Sequence, residues 1–253
     1  AWNDETDYAG SGPDPDIFYK RYDVLSNSWT LAEIVSTEST SGSGQSSLAV
    51  DASGNVHIAW IDETDYLGSG TDWDIFYKFW NASTSTWNAT EVVFTESTTT
   101  SWYPSLVVDT AGDVHIAWID ETNYAGADTD KDIFYKYFDS TTFEWNATEV
   151  VSTESTDDSR NPSLAVDSAG FIHVAWEDYT NYTPSGTDVD IFCKHFAGPP
   201  LAPELSPILP NPTNIATISL VWNDVPGASS YYIYRSDSDI LSIESLTPIG
   251  NTV

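Results

Sequence analysis

Val56-His57-Ile58-Ala59-Trp60-Ile61-Asp62 and Val114-His115-Ile116-Ala117-Trp118-Ile119-Asp120 are the same seven residues, 58 positions apart. The Ala-Trp pair inside them also closes at Trp2 and Trp176, so a single step of 58 runs through the chain. Moving outward, Asp16-Ile17-Phe18-Tyr19-Lys20 returns from Asp74 to Lys78 and from Asp132 to Lys136, then as Asp190-Ile191-Phe192-Cys193-Lys194. Glu38, Glu96 and Glu154 keep the same step. A register with no insertion means that each unit fills an equivalent structural slot.

Within one unit, short runs of β-branched and aromatic residues alternate with polar turn clusters, which is a strand pattern. In the second unit it predicts strand A over 47–51, B over 56–62, C over 74–80 and D over 87–94. Asp51-Ala52-Ser53-Gly54-Asn55 supplies a tight A–B turn, because Asp bonds nearby backbone N–H groups and Gly accepts a positive φ. The unbroken apolar run Ile58-Ala59-Trp60-Ile61 suits a sheet covered on both faces. The predicted fold class is therefore all-β, with propeller-type blades of four antiparallel strands, since radial repetition protects sheet edges. A solenoid is the competing architecture.

Composition bounds the function. Thirty-nine acidic residues against 8 basic ones leave a net charge of -31. Such a surface repels phosphate backbones and anionic lipid, so cations are the natural partners and nucleic acid is excluded. With 11 Trp, 14 Tyr and 10 Phe the chain folds. Its single cysteine, Cys193, stands where sister units carry Tyr19, Tyr77 and Tyr135, and reads as a buried substitute. No apolar run is long enough for a bilayer-spanning helix, so no membrane insertion is expected in this segment. The absence of Met and a start in mid-pattern lead to the expectation of an excerpt from a longer chain.

The order Pro104 to Asp109, Gly112 to Trp118, Asp-Ile-Phe-Tyr-Lys and a closing Trp145 resembles a sialidase-type blade of the bacterial neuraminidase repeat kind. The resemblance covers residues 1 to about 197. The family's Asp-box survives only as the closing Trp29, Trp87 and Trp145. The resemblance implies three arginines gripping a substrate carboxylate; here only Arg21, Arg160 and Arg235 exist, and Arg235 lies in the other domain, so that triad is not built. The first unit lacks strand A and the last lacks strand D. A Pro-rich linker then opens a second domain, 198–253, with alternating strands at 218–222 and 230–235. This part resembles the start of a fibronectin type III domain, a partial β-sandwich in which Trp222 would be the core tryptophan with Tyr232 or Tyr234 packing nearby.

The loops between strands B and C carry the candidate chemistry. Asp62, Asp65, Asp72 and Asp74 have counterparts in Asp4, Asp7, Asp14 and Asp16, in Asp120, Asp130 and Asp132, and in Asp178, Asp188 and Asp190. Oxygen ligands on a Gly-containing loop are what Ca²⁺ requires, so calcium is the expected cofactor; the alternative is a solvated turn. His57, His115 and His173 recur one blade apart, too distant to share an ion, and read as packed residues. Four sequons, at Asn81, Asn88, Asn146 and Asn181, are candidate glycosylation sites.

The expected function is an extracellular or cell-surface scaffold, calcium-stabilised and without catalytic activity. The alternatives are a filament or sheath subunit self-assembling by strand pairing, and a carbohydrate-binding module or degenerate glycosidase. In the last of these, exposed aromatics such as Trp73 and Trp102 would meet glycans or other surface proteins.

Overall fold

The computed structural model describes residues 1–182, 188–197, 231–233 and 250–252. The chain divides into two compact units, Ala1–Phe196 and Ala197–Val253. No helix occurs among the described residues.

In the second blade, strand A is Ser43–Val50, B is Val56–Asp62 and C is Asp74–Asn81. Strand D is split into Thr86–Trp87 and Glu91–Val92, both paired to C. The third blade repeats this as Ser101–Val108, Val114–Asp120, Asp132–Asp139, and Glu144–Trp145 with Glu149–Val150. The first blade begins at strand B (Trp2–Asp4), and the fourth runs Ser159–Val166, Phe171–Asp178 and Asp190–Ala197. All neighbours are antiparallel, in the same register in blades two and three: Trp60 faces Phe76 and Trp118 faces Phe134.

Two departures from the sequence reading have local causes. Strand A starts earlier than expected because a β-bulge sits inside it, where the pairing shifts register between Gly44 and Ser47, Trp102 and Ser105, and Arg160 and Ser163. Strand D breaks because an asparagine takes over its ladder: the Phe79 N–H donates to Asn88 Oδ1 at 2.7 Å, and the Tyr137 N–H to Asn146 Oδ1 at 2.7 Å.

Every residue of strand B is buried in blades two and three, the signature of a sheet packed on both faces. Trp60, Trp118 and Trp176 are 1%, 0% and 3% exposed, whereas Trp2, in the blade that opens without strand A, is 39% exposed. The seams between blades are stitched by repeated contacts. Lys78 Nζ donates to the Val35 carbonyl at 3.1 Å, Lys136 Nζ to that of Val93 at 2.8 Å and Lys194 Nζ to that of Val151 at 2.6 Å. Trp87 Nε1 reaches back to Glu33 and Trp145 Nε1 to Glu91. The lysine ties give each ammonium a carbonyl acceptor across the seam.

Beyond Phe196 the described residues form one pair, Tyr231–Ile233 with Gly250–Thr252. The expected strand at 218–222, Trp222 and Tyr234 lie outside the described residues. Cys193 is exposed, which corrects its reading as a buried substitute.

Candidate functional site

The acidic loops sort into distinct settings. Asp62, Asp120 and Asp178 end strand B in the buried interior and fasten the preceding turn. Asp62 accepts from Ser39 Oγ, Ser43 Oγ, Trp60 Nε1 and the Thr64 N–H. Asp120 accepts from Ser97, Ser101 and Thr122, and Asp178 from Ser155, Ser159, Trp176 and Thr180.

One strand-turn later, Asp16 and Asp132 are buried and accept from Ser36 Oγ at 2.8 Å and Ser152 Oγ at 2.6 Å. Asp74 is their equivalent, but Phe94 stands where they have the serine. Asp74 is fully buried and neither of its oxygens has a hydrogen-bond partner. Burial, with the charges of Asp72 and Asp120, pushes its carboxyl up to about 8.

Asp4 and Asp7 accept from their own loop, while Asp65 and Asp188 are exposed and Asp14, Asp72 and Asp190 half-buried. Among the described residues, one set of three His, Cys, Asp or Glu side chains brings its ligand atoms within 4.8 Å of one another: Asp128, Asp130 and Asp132.

The histidines of blades two and three are packed: His57 Nδ1 and His115 Nδ1 each lie 2.7 Å from a tyrosine hydroxyl, of Tyr77 and Tyr135. Asn181 is exposed; Asn81 caps its own turn through the Ser83 N–H, and Asn88 and Asn146 hold strand D as described.

The cleft that gathers the most varied chemistry lies at the strand A bulges of three consecutive blades. It measures about 370 Å³ and is lined by Gln45, Trp102, Tyr103, Lys131, Arg160 and Asn161, with Ile119 beneath. Gln45, Tyr103 and Asn161 occupy one repeat position and have φ of 48°, 52° and 53°. A left-handed backbone is costly for a side chain as bulky as Tyr, and strain repeated at one place is held there by its surroundings. Here the Tyr103 N–H donates to Gln45 Oε1 at 2.7 Å, tying one bulge to the next, and Asn161 Nδ2 donates to Glu177.

The Tyr103 ring stands 50% exposed. Lys131 Nζ lies 5.4 Å from the Trp102 ring centroid, and Arg160 lies over Tyr179 at 5.0 Å. Both cations share Asp158, with Arg160 Nη2 at 2.5 Å and Lys131 Nζ at 3.9 Å. Burial works to raise the Asp158 carboxyl, but hydrogen bonds from the Arg160 side chain and the Lys131 backbone, with their charges, hold it below the ordinary range. Asp130 beside it is pushed up to about 7 by burial, by its contact with Asp128 and by the charges of Asp128, Asp132 and Asp158. The sequence singled out Trp102; the bulge residues escaped it, because Gln45, Tyr103 and Asn161 share a position but no residue type. Trp73 packs into the core of the seam between blades two and three and lies outside the cleft lining.

No protein-family model matches the chain, and no curated protein matches it. Solved structures are similar to it in fold. A Penicillium chrysogenum alpha-L-arabinanase complexed with arabinobiose is 14% identical with a TM-score of 0.49, covering 90% of this chain and 66% of that one. An endo-arabinase from Bacteroides thetaiotaomicron is 14% identical with a TM-score of 0.43, over 74% of this chain and 66% of that one. A Hadza microbial sialidase is 10% identical with a TM-score of 0.43, over 66% of this chain and 40% of that one.

This chain thus spans between 40% and 66% of the length of these structures. Its described residues share an all-β, propeller-like architecture with them, the blades being antiparallel sheets of three and five strands. Against these matches the expectation of a scaffold without catalytic activity, and of a chain that is not an enzyme, does not stand. That ordering is corrected, and the carbohydrate alternative moves ahead of it.

Proposed function

We propose that this chain recognises carbohydrate in the cleft at the strand A bulges. The observation that carries the reading is the strained, repeated placement of Gln45, Tyr103 and Asn161 around one opening with an exposed aromatic ring. A sugar presents apolar C–H faces and hydroxyls together. The Tyr103 ring offers the first a flat surface, while the carboxamides of Gln45 and Asn161, with Lys131 and Arg160, bond the second. A few fixed polar groups around an apolar floor is the usual composition of a small-molecule site. Bulges re-aim side chains out of the sheet, which is why they recur beside binding sites.

Binding of oligosaccharides, neutral and acidic, is measured by calorimetry on the native protein and on Tyr103→Ala. The variant should lose at least tenfold in affinity while its melting temperature stays close to that of the native chain, since the ring is half exposed and Ala carries the same left-handed backbone. Absence of binding to any glycan by the native protein would sink the reading.

Hydrolysis is a second reading, favoured by two carboxyls behind the cleft lining, Asp158, which holds Lys131 and Arg160, and Asp130, which feels its charge; their protonation is driven in opposite directions. A protonated acid beside an ionised carboxylate is the pairing that glycoside hydrolysis needs. Release of reducing sugar should then fall as pH rises past about 7, where Asp130 loses its proton. Asp130→Asn should abolish turnover and leave glycan binding intact; turnover unaffected by that change would refute the assignment.

A further inference from the structure

The opening between blades three and four departs from the repeat at four positions that touch one another. One step of 58 back, Lys131 and Arg160 are Trp73 and Trp102, Asp158 is Thr100 and Tyr179 is Glu121. Two steps back they are Pro15, Gly44, Gly42 and Glu63. The replacements form one contact group. Arg160 Nε and Nη2 donate to Asp158 Oδ2 at 3.2 and 2.5 Å, Lys131 Nζ lies 3.9 Å from the same oxygen, and the Arg160 guanidinium lies over the Tyr179 ring. Two cations and one acid are gained and one acid is lost, so this cluster is two charges more positive than its counterpart one blade earlier.

That runs against the composition of the chain. Only 8 of its 253 residues are Lys or Arg, yet both charged side chains that line the cleft at the bulges are cations. The acids that hold them, Asp158 and Glu121, stand outside the lining. At physiological ionic strength a charge acts over about 8 Å, so an incoming group meets this local cluster and not the net charge of -31.

Both cations remain accessible. Their side chains are 40% exposed for Arg160 and 28% for Lys131. Asp158 takes the Nε–Nη2 edge of the guanidinium, which leaves the donors of Nη1 for another oxygen. The cleft also continues past them. Gln45, Tyr103 and Asn161 line a second cleft of about 380 Å³, whose other walls are serines and prolines of strand A, with no charged side chain.

We propose that the carbohydrate bound here is an acidic oligosaccharide: a carboxylate or sulfate on one unit sits between Lys131 and Arg160, and the chain runs over the Tyr103 ring into the uncharged second cleft. This rests on the carbohydrate reading above and adds charge and length to it. An anionic oxygen accepts charge-assisted hydrogen bonds from both cations, each about twice as strong as the neutral bond a sugar hydroxyl would make. The planar guanidinium fork matches carboxylate and sulfate alike, since both present paired oxygens.

The test is calorimetry on the native chain at fixed ionic strength. Uronic-acid oligosaccharides from monomer to tetramer are compared with their carboxyl-reduced twins, and sulfated oligosaccharides with their desulfated twins. In at least one series the acidic member should bind at least tenfold more tightly than its twin, and the series that does so tells carboxylate from sulfate. Affinity should rise with chain length beyond the monomer. Arg160→Gln and Lys131→Gln should each bring the ratio of acidic to neutral affinity towards one. Tyr179→Glu restores the residue of the third blade outside the cleft lining and puts a negative charge beside Arg160; it should weaken acidic binding alone. Neutral twins that bind as tightly as the acidic members, or an acidic preference undiminished in Arg160→Gln, would overturn the proposal and leave the carbohydrate reading in place. Affinity that stays flat from monomer to tetramer would overturn the path into the second cleft, and no binding of any member would sink both readings.

Discussion

Asp74 offers the sharpest test of how the seams are built. Its carboxyl is buried without a hydrogen-bond partner because Phe94 occupies the place of Ser36 and Ser152. Phe94 instead packs on Trp118 and Phe134, with ring centroids 5.3 and 5.2 Å away. The acid is pushed from an ordinary 3.8 to about 8, first by burial and then by the charges of Asp72 and Asp120.

The sign follows from linkage. Below about pH 4 the group is protonated in both folded and unfolded chains and contributes no pH dependence. Between about 4 and about 8 the unfolded chain ionises while the folded chain holds its proton, so stability falls by about 1.4 kcal/mol per pH unit. The accumulated loss is on the order of 4 kcal/mol at pH 7 and is complete just above pH 8.

Asp74→Asn removes the ionisation and keeps the shape. Relative to the native chain its stability should therefore rise from near parity at pH 4 to a gain of several kcal/mol at pH 8. Urea unfolding of both proteins at four pH values between 4 and 8 reads this directly. A native-minus-variant difference that stays flat across that range, or an Asn variant less stable at pH 8, would refute the account of the seam.

Two further outcomes follow from the same packing. Tyr135→Phe leaves His115 Nδ1 without its hydroxyl partner at a position of 0% exposure and should cost about 1–3 kcal/mol, read as a lower urea midpoint with unchanged m-value. Gly112→Ala places a side chain at φ of 91° in the A–B turn, where the nearest atoms are at ordinary contact distance; backbone strain alone should lower stability by about 1–2 kcal/mol in thermal melts.

How much was legible in the sequence depended on whether a feature repeats. Strand B and the A–B turn repeat residue for residue, and Val56–Asp62 forms over the span expected. The bulge does not: Gln45, Tyr103 and Asn161 share a backbone conformation that different residues reach under constraint from neighbouring strands, so nothing in their identities announces it. The D-strand break was hidden for the opposite reason. Asn88 and Asn146 do repeat, but Asn-Ala-Thr reads as a glycosylation sequon, while the fold uses the carboxamide oxygen to replace a backbone carbonyl.

The repeat also supplies an internal control that a single domain lacks. Positions occupied identically in the first three blades, such as Ile17, Ile75 and Ile133, are explained by the seam they fill, since each is 0% exposed, whereas the same residue in the fourth blade, Ile191, is 72% exposed. Positions where one blade breaks rank, such as Phe94 among serines, or Cys193 and His195 among aromatics, gain nothing from the common packing and must be explained by something local. In the first case the local cause is a more apolar seam, at the expense of a stranded carboxyl. In the second, Cys193 and His195 both stand exposed, so the packing that holds an aromatic ring at these places in blades two and three does not act on them. The functional content of this chain is therefore to be sought where the fifty-eight-residue cadence fails, and in the strained bulges where the backbone repeats but the side chains differ.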